Sequence, residues 1–97
     1  MSSNPSISAA IICLNEAENI AACIGGLQWC DEIVVIDSGS SDGTCEIIRS
    51  MPKTRLITRR FDSYINQKNF ANAQCSNDWV ISVDADEIIT ESLKDEI

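Results

Sequence analysis

Ile33-Val34-Val35-Ile36 is a run of four β-branched aliphatic residues with no polar residue among them. Successive side chains of a strand point to opposite faces, so a strand with one wet face alternates apolar and polar positions. A run that is apolar at every position predicts a strand covered on both faces, the condition of a parallel sheet flanked by helices. The chain has 97 residues, enough for one domain.

The segments around this strand fit that architecture. Ile7 to Leu14 reads Ile-Ser-Ala-Ala-Ile-Ile-Cys-Leu between Pro5 and Asn15, which predicts a first buried strand. Asn15 is then placed to cap a helix, and Glu16 and Glu18 suit its first turn. Ile20, Cys23, Ile24 and Leu27 recur at helical spacing, predicting an amphipathic helix from Glu16 to about Gln28. After the second strand comes a turn-rich loop, Asp37 to Thr44. Ile47, Ile48 and Met51 predict a second helix that stops near Pro52. Arg55 to Thr58 reads as a shorter, more exposed third strand. Tyr64 to about Cys75 holds good helix formers with a weak apolar stripe. Trp79-Val80-Ile81-Ser82-Val83 predicts a fourth strand, again buried, and Thr90 is placed to cap a last helix from Glu91.

Strands alternating with helices of this length imply right-handed crossovers and a mostly parallel sheet: an α/β, Rossmann-like three-layer sandwich. Ligands of such sheets gather at the carboxyl ends of the strands. Asn15 and Glu16, Asp37 and Ser38, and Asp84 and Asp86 each follow a predicted strand. They are therefore expected to meet along one edge despite their separation in sequence.

Composition narrows the ligand. The net charge of −8 disfavours a nucleic-acid partner, which wants a basic face. Arg49, Lys53, Arg55, Arg59, Arg60 and Lys68 nevertheless fall close together. They read either as a solvated edge or as a basic rim for an anionic ligand or lipid headgroups. No stretch reaches the ~18–20 apolar residues that span a bilayer, and the first residues lack the basic and apolar regions of a secretory signal. The five cysteines show no CxxC spacing, and the chain has no histidine, which excludes a Cys/His zinc site. They read as reduced, mostly buried small hydrophobes of a cytosolic protein.

The chemistry concentrates in Asp84-Ala85-Asp86, directly after the fourth strand. Two carboxylates one residue apart supply hard oxygen ligands for Mg²⁺ or Mn²⁺ and can reach a diphosphate and a ribose. A cation there would bridge two phosphates and neutralise charge on a departing nucleoside diphosphate. A solvated turn is the plainer alternative. In the Asp37–Thr44 loop, serines and glycines offer hydroxyls and tight turns, and Asp37 can accept from a base imide. Asp42 reads as the cap of the next helix. Neither a P-loop nor a dinucleotide GxGxxG is present. In Gln67-Lys68-Asn69, Lys68 can meet a phosphate as a point charge or stand as an ordinary solvated lysine. Trp29 and Trp79 read as core or edge packing residues.

Four segments together carry a resemblance: Leu14-Asn15-Glu16, Ile36 to Thr44, Gln67-Lys68-Asn69-Phe70-Ala71, and Trp79 to Glu87. They resemble family 2 glycosyltransferases of the GT-A fold. The Gln67-Lys68-Asn69 and Asp84-Ala85-Asp86-Glu87 segments are most similar to the lipopolysaccharide core β-1,4-glucosyltransferases of bacteria. The resemblance implies inverting transfer of a sugar from a nucleotide donor, a UDP-sugar such as UDP-glucose. The acceptor would be a saccharide or lipid-linked saccharide of cell-envelope polysaccharide or lipopolysaccharide synthesis. The setting would be the cytoplasm, with peripheral contact at the inner face of its membrane.

By the same resemblance Asp86 would be the direct metal ligand, with Asp84 beside it and nearer the ribose. Asp37 would lie at the base-binding end, Glu16 would approach the nucleotide, and Lys68 would lie near the donor. Leu14 and Ser38 would complete the nucleotide-sugar site, and both depart from the family pattern. Ser38 stands where many members have a second acid, and Ile12-Cys13-Leu14 where many have Pro-Thr-Tyr, which removes a stacking side chain.

Members of the family are well over twice as long, and the further part supplies the acceptor site and the catalytic base. Residues 1–97 are therefore expected to be the nucleotide-sugar-binding part of a GT-A domain, truncated before the acceptor half, with no catalytic residue of their own. Glu91, Asp95 and Glu96 read as a solvated helix face, and the edge strand as poorly covered. A non-catalytic nucleotide-binding module is the main alternative. A haloacid-dehalogenase-type phosphotransfer domain, suggested by Asp84, Asp86 and Thr90, would carry that signature after its first strand. A receiver domain would want an acid pair there.

Overall fold

The computed structural model describes residues 6–86. Within them the chain runs β1 (Ile7–Cys13), α1 (Ile20–Gly25), β2 (Glu32–Asp37), α2 (Thr44–Arg49), β3 (Thr54–Thr58), α3 (Tyr64–Gln74) and β4 (Trp79–Asp84). The helix expected from Thr90 and Glu91, with Asp95 and Glu96, lies outside the described residues.

The four strands form one sheet in the order β3-β2-β1-β4, and every neighbouring pair is parallel. Ile33, Val34, Val35 and Ile36 are all fully buried, as their composition requires. Ile33 and Val35 join Ala9, Ile11 and Cys13 of β1 in a cluster with Ile20, Cys23, Ile24 and Leu27 around α1 and Ile48 of α2. Val34 and Ile36 point the other way, against Ala10 and Ala71 of α3. The molecule is thus three layers, α1 and α2 over one face and α3 over the other.

The chain moves outward from β1 through β2 to β3, then returns across the sheet to β4 on the far side of β1. Crossovers of one hand put helices of opposite travel on opposite faces, which explains why α3 lies alone. Strand order reverses at β1, so the crevice outside the carboxyl ends of β1 and β4 is the switch point where sheets of this kind bind ligands.

Three expectations change. The first helix is shorter than Glu16–Gln28, because Asn15 has a left-handed φ of 53° and Asn19 N–H and Ile20 N–H both close a turn on the Glu16 carbonyl. Asn15 does not cap it: its main-chain N–H donates to Ser40 Oγ and its side-chain oxygen accepts from Ser41 N–H, both at 2.8 Å. The fourth strand, read as buried, is largely exposed, with only Val83 buried and Trp79 64% exposed. Apolar composition made β4 look central, yet it borders the described sheet and only its α1 face is packed, through Ile81 and Val83.

The basic cluster is mostly committed to internal partners. Lys53 Nζ donates to the Gln28 carbonyl at 2.5 Å. Arg55 pairs with Glu32 at 3.6 Å and donates to the Gln74 carbonyl. Arg59 pairs with Asp62 at 3.2 Å and lies over the Phe70 ring. Among the described residues no helix is long and apolar enough to cross a membrane.

Candidate functional site

A cleft of about 520 Å³ opens at the switch point. Ile12, Cys13, Leu14 and Glu16 line it from the end of β1, Asp84, Ala85 and Asp86 from the end of β4, Ser38 from β2, and Phe61 and Tyr64 from α3 and the segment before it. Volumes of a few hundred Å³ suit a drug-sized or nucleotide-sized ligand. Parallel register brings these residues together: Cys13 stands opposite Asp37, and Ile12 opposite Asp84.

The carboxylates divide by environment. Asp84 and Asp86 are exposed at the rim, while Ala85 between them is buried and anchors the turn. Tyr64 Oη donates to Asp84 Oδ1 at 3.3 Å, tying the β4 tip to α3. Glu16 stands on the β1 wall of the same cleft. Its main-chain N–H donates to Thr44 Oγ1 at 3.0 Å, and its carboxylate accepts from Asn19 Nδ2 at 3.1 Å. Among the described residues no three His, Cys, Asp or Glu side chains cluster tightly enough to cage an ion. Two rim carboxylates supply hard oxygen donors of the kind that suit a cation completed by ligand phosphates and water, the usual mode of Mg²⁺.

Asp37 is not part of the cleft wall. It is 1% exposed, and its carboxylate accepts from Gly39 N–H at 3.0 Å, Ser40 N–H at 2.8 Å, the Ser40 hydroxyl and the Cys13 thiol at 3.3 Å. Four donors fill the lone-pair sites of a carboxylate. Burial pushes this carboxyl up, but the hydrogen bonds from Ser40, Gly39 and Cys13 outweigh burial and hold it below its ordinary value. Asp37 therefore shapes the loop that carries Ser38. Burial first, and then the hydrogen bond to Asp37, push the Cys13 thiol far up.

The Asp37–Thr44 loop is cross-linked to the β1 loop. Besides the two Asn15 contacts, Asp42 Oδ2 accepts from Ala17 N–H at 3.2 Å. The cap position of α2 itself is Gly43, with a left-handed φ of 96°, a conformation that favours glycine. Asp42, expected as the cap, precedes it and accepts from the Thr44 N–H at 3.1 Å and from the Thr44 hydroxyl. Of the predicted site residues the cleft gathers Leu14, Glu16, Ser38, Asp84 and Asp86, but not Asp37 or Lys68. Lys68 Nζ lies 5.2 Å from the centre of the Tyr64 ring, one residue removed from the cleft.

Sequence reasoning named Gln67 only as part of a matched segment, and gave Phe61 and Tyr64 no place in the site. Gln67 is fully buried, donating to Ser38 Oγ at 3.2 Å and to the Arg59 carbonyl at 3.0 Å, and accepting from Arg59 Nη1 at 2.6 Å. A glutamine on the buried face of a helix with almost no apolar stripe was the available signal. Phe61 and Tyr64 are exposed aromatics whose place beside the acids only the fold reveals.

The family model described as "Glycosyl transferase family 2" matches residues 8–96. A lipopolysaccharide core biosynthesis glycosyltransferase, LpsC of Rhizobium meliloti (strain 1021), is 41% identical over 93 residues, covering 92% of this chain and 34% of the relative. An uncharacterized glycosyltransferase of Rickettsia felis is also 41% identical, over 94% of this chain and 32% of its own length. The chain thus spans about a third of the length of the curated relatives it matches. The crystal structure of S. aureus TarS 1-349 superposes with a TM-score of 0.77 at 26% identity, covering 94% of this chain and 31% of that one. The same protein in complex with UDP gives a TM-score of 0.73 at 25% identity, covering 94% and 30%.

Proposed function

The chain belongs to glycosyltransferase family 2 and has the GT-A fold; from that premise we propose that it is the donor-binding part of an enzyme that transfers a sugar from a UDP-sugar, with inversion, to a saccharide acceptor. The acceptor would be a saccharide or lipid-linked saccharide of cell-envelope polysaccharide or lipopolysaccharide synthesis, as the name of the Rhizobium relative suggests. Five free thiols suit a reducing, cytoplasmic setting, with the acceptor presented at the inner membrane face.

The observation that carries this reading is the meeting of Glu16, Ser38, Asp84 and Asp86 around one cleft at the carboxyl ends of β1 and β4. Asp84 and Asp86 would hold a divalent cation, Mg²⁺ or Mn²⁺, which when bound screens the charge on the departing diphosphate. Tyr64 fixes Asp84 for that task through its hydroxyl. Leu14, half exposed on the cleft wall, gives the nucleoside an apolar surface. Lys68, close behind Tyr64, is within the electrostatic reach of an anionic donor. No described residue is assigned as the base that deprotonates the acceptor, and residues 1–97 alone are expected to bind donor without turnover.

Titration of the isotope-labelled chain with UDP, with and without Mg²⁺, tests the reading by NMR. Metal-dependent shifts at Leu14, Glu16, Ser38, Asp84 and Asp86 are expected. No shift at millimolar UDP with Mg²⁺ would sink the proposal.

A further inference from the structure

Gln67 is a fully buried polar side chain whose amide orientation is fixed from both ends. Arg59 Nη1, at 2.6 Å, can only donate, so the atom facing it is the amide oxygen. The Arg59 carbonyl, at 3.0 Å, can only accept, so the atom facing it is the amide nitrogen. That nitrogen also faces Ser38 Oγ at 3.2 Å. Ser38 is therefore obliged to accept from Gln67. A hydroxyl that accepts from one side has its own proton to give elsewhere, and Ser38 lines the cleft. The chain of constraint runs from a guanidinium, through an amide that cannot flip, to a hydroxyl whose proton lies away from Gln67.

On these grounds we infer that Gln67 is a positioning residue which makes Ser38 a hydrogen-bond donor into the cleft, selective for a carbonyl oxygen of the nucleotide base. A carboxylate at this place could only accept, and would select an N–H instead. The inference rests on the donor-binding reading above and extends it to the polarity of base recognition. Asp37 contributes by holding the loop: its carboxylate binds Gly39 N–H and Ser40 N–H immediately after Ser38. Gln67 also ties α3 to the ends of β2 and β3, so base recognition and helix placement share one side chain.

The test compares UDP with inorganic pyrophosphate, both with Mg²⁺, by calorimetry on the chain and on S38A and Q67E. Glutamate at residue 67 still accepts from Arg59 but cannot donate, so the Ser38 proton turns toward it and away from the cleft. Both variants are expected to bind UDP about three- to tenfold more weakly, the worth of one hydrogen bond, with pyrophosphate affinity unchanged. A merely structural role for Gln67 would weaken both ligands together and would overturn the inference. So would UDP binding unaltered in S38A, the variant least able to disturb folding. Absence of UDP binding to the unaltered chain would instead defeat the donor-binding reading, and this inference with it.

Discussion

The Cys13 thiol donates to the Asp37 carboxylate at 3.3 Å across the last rung of β1 and β2, where the two residues are register partners. The neighbouring Ser40 and Gly39 supply the other donors, so a buried charge closes the loop. Replacing Asp37 by Asn puts an amide N–H₂ among groups that donate. D37N is expected to lose about 2–3 kcal/mol of stability, the cost of leaving buried donors unsatisfied. Urea denaturation measures it, and a loss under about 0.5 kcal/mol, the scatter of neutral surface changes, would contradict the account.

Acid should destabilise the chain partly through this group. A carboxyl held below its ordinary value binds fewer protons folded than unfolded, so stability rises with pH across that range. Asp37 and Glu32 are both held low. At Glu32 burial acts upward, but hydrogen bonds from Ser76 and Ser8 and the nearby Arg55 prevail. Their contribution is complete above the unfolded carboxyl pKa of about 4 and is lost as pH falls through the lower folded values. Urea midpoints taken from about pH 6 down to pH 3 should fall, and D37N should show a shallower fall.

Asp84 and Asp86 are exposed at the rim, and an asparagine oxygen at residue 84 can still accept from Tyr64, so replacing the carboxylates by amides should affect ligand more than fold. D84N and D86N are expected to stay within about 0.5 kcal/mol of the parent in stability. Each should weaken Mg²⁺-dependent UDP binding by about tenfold or more, as removal of one of two carboxylate ligands implies. Calorimetry with and without Mg²⁺ reads this. Equal affinity in the double variant D84N/D86N would remove the metal from the mechanism.

β4 carries Trp79, 64% exposed, and Val80, 36% exposed, as neighbours on opposite faces of a strand that borders the described sheet. An apolar strand border invites pairing with another chain. W79K should lower self-association of this chain at high concentration, read by sedimentation velocity, without lowering its urea midpoint. Unchanged association would place the sticky surface elsewhere.

The thiols should be slow to react. Burial pushes Cys13, Cys30, Cys45 and Cys75 up, Cys30 to about 11, so little thiolate exists near neutral pH. Disulfide-exchange labelling near pH 7.5 should be much slower in the folded chain than in urea. A rapid stoichiometric phase in the folded chain would show a thiol more accessible than the packing allows.

The strand positions were readable because unbroken β-branched runs can be buried in only one way. Ile33 to Ile36 showed this, and β2, β3 and α3 fall within a residue of their expected bounds. The acids after β4 were readable because they follow a strand in a fold whose sites lie at strand ends. Asn15 was misjudged because a cap and a cross-loop bond use the same short polar side chain, and only the neighbouring Ser40 and Ser41 decide between them. The internal partners of Asp37 were hidden for the same reason: the residue type announces an acceptor, not which donors will reach it.

Sequence by itself determined the layers, the parallel sheet and the edge on which the acids gather, because periodicity and β-branching act locally, most plainly in Ile33 to Ile36. Tertiary structure alone decided that β4 is exposed, that Asp37 turns inward, and that Gln67 rather than Lys68 reaches Ser38. Those outcomes depend on the order β3-β2-β1-β4, which sets each side chain's neighbours, and a hydrogen bond is made by the partner that arrives as much as by the residue that waits.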